Sequence, residues 1–286
     1  MTAAASSGDR VRHSGAMPEL PEVESVVRQL RPRVVRRRIV RVWWDPQSRF
    51  TDVGLAVGGR IVDLRRRGKY MLATLDADGA ADRELVMHLG MTGAFRFREH
   101  GWRPDAYVRA TLTLDDAILD FRDVRRFGRL AVVPAGEYDT IATLARLGPE
   151  PLGPDFRPDR FHADLARSRM AVKAQLLSQR PVAGVGNIYA DEALWLARID
   201  PRARRVGPER ARRLWEAIRT VLAAAIEREG TTFRDYQMVN GESGRNAMFL
   251  TAYGQQGQPC PRCGQALRKI VVGGRGTTYC PHCQRV

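Results

Sequence analysis

Four cysteines near the C-terminus fall in two pairs, Cys260-Pro-Arg-Cys263 and Cys280-Pro-His-Cys283, separated by sixteen residues, and the 286-residue chain has no others. This spacing sets two thiolates on each of two successive hairpin knuckles, the four-sulfur tetrahedral shell of a single Zn²⁺. With Cys260, Cys263, Cys280 and Cys283 filling every position, no place remains for water or substrate, so the metal is structural. A module this small has too little apolar mass to fold unaided and draws its stability from metal binding. His282 lies between the ligands and reads as a bystander.

A zinc ribbon alone says little about activity; charge narrows the partners. Lys plus Arg total 47 against 32 Asp plus Glu, a net +15 with a pI near 10.7. An excess of this size points to a polyanion, and nucleic acid fits better than a membrane surface because no basic amphipathic tail is present. No apolar run approaches the roughly 20 residues of a membrane span. Residues 1–16 are small and polar and lack the apolar stretch of a secretory signal, which points to a reducing cytoplasm. Only three basic residues are lysine, Lys69, Lys173 and Lys269, against 44 arginines. In a chain that has drifted so far towards arginine, the surviving lysines mark places where a compact ammonium is needed. Lys269 has no evident role.

Between about residues 37 and 134, eight short segments have strand length and alternation: RIVRVWW, RIVDLRR, YMLATLDA, ELVMHLG, AFRFRE, YVRATLTL, AILDFRD and RLAVVP. Asp115-Asp116 reads as a tight hairpin turn, and the set predicts a β-sandwich or flattened barrel. The stretch 146–159 is rich in Pro and Gly and reads as a linker. Helical patterns follow: FHADLARSRM, AVKAQLLSQ, a helix from about Tyr189 or Ala190, and a longer one from Pro208 to the stop at Gly230. The expected organisation is α+β: an extension over 1–17, a sandwich with a helix over 18–134, a linker region over 135–159, a helical domain over 160–249 and the zinc ribbon over 250–286.

The amino end holds the reactive possibility. MPELPEVESVVRQL places Pro18 and Pro21 beside Glu19, Glu22 and Glu24 ahead of an apolar stripe, the pattern of a helix start. If the chain begins at Met17 and that methionine is removed, Pro18 becomes a free secondary amine. Such an amine attacks a sugar C1′ and forms a cationic iminium, an electron sink for elimination. Titrating near 8, an α-amine is partly neutral at physiological pH, and Glu19 is placed to move protons on the sugar. By composition alone, a proline-rich helix start without chemistry describes the same residues.

The order of motifs decides between these. MPELPEVE, HLGMTG (88–93), DVRRFG (123–128), VAGVGNIYADEALW (182–195) and the closing cysteine ribbon follow one another from Met17 to about Gln284. Together they resemble the formamidopyrimidine-DNA glycosylase family, bifunctional base-excision enzymes that remove oxidised purines from damaged duplex DNA. The resemblance implies a sandwich carrying a catalytic helix, a helix–two-turn–helix domain and one structural Zn²⁺ in a monomeric, nucleoid-associated protein of a prokaryote. It implies Pro18 as nucleophile and Glu19 as general acid/base, with Glu22 and Glu192 as supporting carboxylates. Lys69 matches a lysine that contacts phosphate beside the lesion, and Lys173 matches one near the lesion site. His88, Asn187 and Arg275 match phosphate contacts. Met91 and Phe127 match residues that fill the hole left by the extruded base, while Arg125 bonds its orphaned partner; apolar insertion offsets an unstacking cost of a few kcal/mol.

Two departures bear on function. Sixteen residues precede Met17, and an amide nitrogen is not nucleophilic, so the full-length polypeptide is expected to be inactive through Pro18. The segment 240–255, which corresponds to the loop over the extruded purine, carries Arg245 where an aromatic commonly stands and Gln255 where arginine is usual. Two other readings remain open: an endonuclease VIII-like enzyme for oxidised pyrimidines, and a non-catalytic zinc-ribbon DNA-binding protein with Pro18 blocked. Leu20 and the Met91, Arg125, Phe127 set favour the purine branch.

Overall fold

The computed structural model describes residues 17–77, 79–98, 103–231, 239 and 244–286. Helix α1 (Leu20–Val34) opens the described chain, with Pro21 and Glu22 in its first turn and Val23, Val26, Val27, Leu30 and Val34 buried along one face. Among the described residues nine strands follow: β1 (Ile39–Trp44), β2 (Arg49–Thr51), β3 (Arg60–Arg67), β4 (Tyr70–Ala77), β5 (Ala80–His88), β6 (Gly93–Phe97), β7 (Val108–Leu114), β8 (Ile118–Asp123) and β9 (Arg129–Pro134). They form two sheets, a four-stranded one in the order β1-β7-β8-β6 and a five-stranded one in the order β2-β9-β5-β4-β3. A common core of alternating strand residues and the α1 face lies between them, with Met71, Leu85, Phe95, Phe121 and Leu130 among its members. The turn at Asp115-Asp116 joins β7 to β8 as the sequence predicts. Strand β2 escaped prediction because three residues are too few to show a period, and it pairs in parallel with β9, far along the chain.

Beyond the sandwich come α2 (Ala142–Ala145), α3 (Pro158–Ala166), α4 (Val172–Leu177), α5 (Asn187–Leu196) and α6 (Pro208–Glu227), then the hairpin β10 (Arg268–Val272) and β11 (Arg275–Tyr279). The helices surround a second core that includes Phe156, Phe161, Leu176, Ile188, Tyr189, Leu214 and Leu222. Leu20 belongs to this second core although the rest of the α1 face belongs to the first. The helix thus starts in one domain and ends in the other, and its N-terminus is pinned where the two meet.

Candidate active site

The junction of α1 with α5 sets the site. Gly186 precedes α5 and offers no side-chain cap. Its place is taken by Glu19, whose carboxylate accepts hydrogen bonds from the backbone N–H of Gly186 at 2.7 Å, Ile188 at 2.8 Å and Tyr189 at 3.3 Å. A carboxylate at a helix N-terminus meets both the exposed donors and the positive end of the macrodipole. Burial nevertheless raises the Glu19 pKa above its ordinary value, against the opposing pull of Lys69 and the three N–H groups. Glu22 lies one turn on, accepting from the Glu19 N–H at 2.8 Å, the Tyr189 hydroxyl at 2.6 Å and the Thr231 N–H at 2.6 Å. Desolvation, reinforced by the neighbouring Glu19 charge, pushes its pKa up to about 7. Pro18 is buried at the head of this arrangement, and Met17, bonded to its nitrogen, lines the adjoining cavity.

That cavity has a volume of about 490 Å³ and brings together Met17, Glu19, Lys69, His88, Met91, Phe127, Asn187 and Arg275. Lys69 sits in the β3–β4 turn after Gly68, whose φ of +57° suits glycine. Burial lowers its pKa, while Glu19 and Glu22 pull the other way. His88 ends β5, and its Nδ1 accepts the Gly90 N–H at 3.0 Å. Burial and the nearby Lys69 and Arg129 depress the His88 pKa to about 4. A neutral ring with Nδ1 engaged carries its proton on Nε2, so His88 offers a hydrogen bond donor rather than a charge.

The two loops bearing the expected wedge are riveted together. The Asp123 carboxylate accepts from the Thr92 hydroxyl, from the Gly128 N–H at 2.7 Å and from the Arg125 N–H at 3.2 Å. Met91 precedes Thr92, so its position is coupled to the loop carrying Arg125 and Phe127. Phe127 is 44% exposed, with the Arg125 guanidinium 4.8 Å from its ring centroid. An aromatic ring left this open on a tied loop is available to insert elsewhere.

The ribbon docks on the opposite wall. The four cysteine sulfurs lie within 4.8 Å of one another, Cys263 and Cys280 at 3.6 Å. Tetrahedral Zn–S bonds of about 2.3 Å set sulfurs about 3.8 Å apart, so the four thiolates fit one structural Zn²⁺. Arg262 reaches from the first knuckle to the carbonyls of Trp195 and Leu196 at 2.6 and 3.0 Å, tying the metal module to the end of α5.

Two residues grouped with the catalytic set by sequence lie outside the cavity. Lys173 is fully buried, and its Nζ donates to Asp191 at 2.6 Å, the Thr277 hydroxyl at 2.9 Å and the Gly276 carbonyl at 3.2 Å. Asp191 in turn accepts the Thr278 N–H at 2.9 Å. This ion pair clamps β11 onto α4 and α5 and thereby holds Arg275 at the cavity, helped by Asn187 Nδ2 donating to Gly276 at 3.1 Å. Glu192 is likewise occupied, accepting backbone N–H groups of Thr251, Ala252 and Tyr253 at 2.8–3.1 Å. Arg245 is an exposed partner of Glu229 at 3.8 Å and is absent from the cavity wall, as is Gln255; residues 240–243 of the same segment lie outside the described residues. Sequence reasoning overlooked Arg49, Arg129, Gln179 and Tyr253, which also line the cavity. Gln179, at φ +63°, accepts the Gly184 N–H at 2.7 Å and donates to Val185, shaping the loop ahead of α5.

A buried carboxylate capping a helix beside a cationic cleft, with a four-thiolate ribbon closing one side, defines a zinc-ribbon protein built for a reaction on a polyanion. Comparison with known proteins gives three consecutive matches. The formamidopyrimidine-DNA glycosylase N-terminal domain matches residues 17–130, the corresponding H2TH domain 147–237, and the zinc finger found in FPG and IleRS 257–286. Formamidopyrimidine-DNA glycosylase from Thermus thermophilus is 46% identical over 272 residues, covering 94% of this chain and 98% of that protein. The enzyme of Deinococcus radiodurans is 45% identical over 278 residues, covering 94% and 97%. Among solved structures, the MutM (FPG) protein of Thermus thermophilus superposes with a TM-score of 0.86 at 46% identity, covering 93% of this chain and 98% of that one. A Lactococcus lactis FPG mutant in complex with Fapy-dG-containing DNA superposes at 0.85 with 34% identity, covering 94% and 100%. The chain belongs to the formamidopyrimidine-DNA glycosylase family.

Proposed function

We propose that this chain excises oxidised purines from duplex DNA through a Schiff base at Pro18 and then cleaves the abasic strand. The supporting observation is the meeting of α1 and α5: Met17 stands at the cavity wall where a free Pro18 nitrogen would face, one residue from the buried, helix-capping Glu19. The working protein begins at Pro18, consistent with a family match that starts at residue 17; residues 1–16 lie outside the described residues.

The extruded nucleotide enters the cavity while Met91 and Phe127 occupy the space it leaves and Arg125 bonds the orphaned base. The Pro18 nitrogen attacks C1′ as the glycosidic bond breaks, and the departing base takes up a proton. The Glu19 carboxylate takes the N–H proton that Pro18 sheds on bonding to C1′ and delivers it to the opening sugar ring oxygen, which leaves a cationic iminium between Pro18 and C1′. Loss of a C2′ proton to the ionised Glu19 turns the iminium into an enamine, which expels the C3′ phosphate and restores the iminium, and a second proton loss, from C4′, expels the C5′ phosphate. Hydrolysis frees Pro18 and leaves a gap flanked by phosphates. Lys69, His88, Asn187 and Arg275 hold the phosphates on either side, which makes binding strongly salt-dependent. Zinc supplies no step; it holds the hairpin that carries Arg275.

Among the described residues no helix is long and apolar enough to cross a membrane; we place the protein in the cytoplasm, at the nucleoid, where its substrate lies. Borohydride trapping tests the function. Protein beginning at Pro18 should form a covalent adduct with 8-oxoguanine duplex, and more of it than with thymine glycol duplex, whereas protein beginning at Met1 should form none. Absence of an adduct with the Pro18 form would leave only a DNA-binding protein.

A further inference from the structure

One wall of the cavity carries cations that the chemistry above does not use. The register of the five-stranded sheet sets Arg49 of β2 opposite Arg129 of β9, Arg129 opposite His88 of β5, and His88 opposite Tyr70 of β4, which follows Lys69. All five line the cavity. At about 4.8 Å per strand the row is about 14 Å long. Several other arginines hold carboxylates, among them Arg66 and Arg67 on Glu150, Arg98 on Asp120 and Arg109 on Asp45. Among the described residues neither Arg49 nor Arg129 has a side-chain hydrogen bond or ion pair.

Like charges directly opposite on neighbouring strands are destabilising. Here Arg49 and Arg129 occupy partner positions on neighbouring strands, each without a carboxylate partner among the described residues, in a row whose next member, His88, is kept neutral by burial and by the charge of Lys69 and Arg129. A single phosphate would not occupy such a row. A nucleic-acid strand, rising about 3.4 Å per phosphate, presents several anions over the same length.

We propose that Arg49 and Arg129 form a phosphate-binding subsite that continues the row from Lys69 and His88 and holds the damaged strand beyond the nucleotide under repair. The assignment rests on the proposed function. The subsite tracks the backbone without reading bases, so it supplies affinity and register rather than lesion choice.

The test measures binding of the zinc-loaded protein beginning at Pro18 to a duplex bearing one tetrahydrofuran abasic analogue, from 50 to 200 mM salt. R49Q/R129Q should reduce the slope of log affinity against log salt by about 1.8, since each phosphate contact contributes about 0.9. Over that fourfold range the wild type should therefore lose about tenfold more affinity than the double variant. R49K/R129K, which keeps both charges, should retain most of the slope, separating lost charge from lost folding. Neutral methylphosphonate links placed singly along each strand then locate the contact. At one or two damaged-strand positions the substitution should weaken the wild type and leave R49Q/R129Q unaffected. An unchanged slope, or methylphosphonate penalties equal in both proteins or confined to the complementary strand, overturns the subsite alone. A wild-type chain that shows no preference for the abasic duplex overturns the proposed function and the subsite with it.

Discussion

Adding one methyl group at Gly186 should uncouple chemistry from DNA binding. A Cβ built there lies 2.3 Å from Glu19 Cδ, 2.5 Å from Oε1 and 2.6 Å from Cγ. The backbone at Gly186, with φ −119° and ψ −156°, is one that alanine adopts freely, so the whole penalty falls on the contact with Glu19. Relieving it requires the carboxylate to move by about 1 Å, which lengthens or breaks its bonds to Gly186, Ile188 and Tyr189. Overpacking of this kind costs about 1–3 kcal/mol in stability, and a 1 Å misplacement at a reacting centre costs about a hundredfold in rate. Gly186→Ala in protein beginning at Pro18 should show both losses, read by urea unfolding and by single-turnover excision at saturating enzyme. Affinity for abasic-analogue duplex should change only a few-fold, because Lys69 and His88 are carried on the sheet. Gly207→Ala is the control: Gly207 also precedes a helix, yet nothing lies within 4 Å of its would-be Cβ. Full excision rate in a stable Gly186→Ala protein would refute the claim that this carboxylate's placement governs the reaction.

Lys173→Met should destabilise the protein by about 3–5 kcal/mol, because Asp191 is left buried without its cation, and Lys173→Met/Asp191→Asn should recover part of the loss in urea unfolding; strictly additive losses would contradict the clamp. Glu22 has a folded-state pKa of about 7, raised from 4.5. Its contribution to stability is therefore complete below about pH 4.5 and is lost as pH rises towards 7. Glu22→Gln should flatten that decline, a difference of about 3 kcal/mol across the window, and an unchanged pH profile of unfolding would show that Glu22 titrates normally. Stripping zinc with a chelator should release one metal per chain, open 257–286 to proteolysis and weaken DNA binding through loss of Arg275; a ribbon still protease-resistant without metal would contradict its metal dependence.

Local information was enough for much of the architecture. The cysteine spacing alone specified the ribbon and its metal, since the knuckle geometry needs only a few adjacent residues. Alternation marked eight of the nine sandwich strands, and the helical periods marked α3 to α6. The failures share a cause. Helix α5 begins at Asn187, ahead of the predicted start near Tyr189, because its cap is Glu19, more than 160 residues earlier. Strand β2 exists only because β9 offers it a parallel edge.

The identities of Pro18, Glu19, Lys69, His88 and the wedge residues were legible from motifs, each a short run of chemically distinctive side chains. What those side chains touch was not. Lys173 and Glu192 were legible from the same resemblance, yet tertiary packing engages one in a buried ion pair with Asp191 and the other in three backbone bonds. Arg49 and Arg129 carried no signal among 44 arginines until strand register set them side by side. Sequence by itself determined which reactive groups, metal ligands and elements are present, because those depend on residue type and near-neighbour spacing. Only the folded chain decided which groups share a cavity and which are sealed away, because burial, capping across domains and strand register are set by partners far apart along the chain.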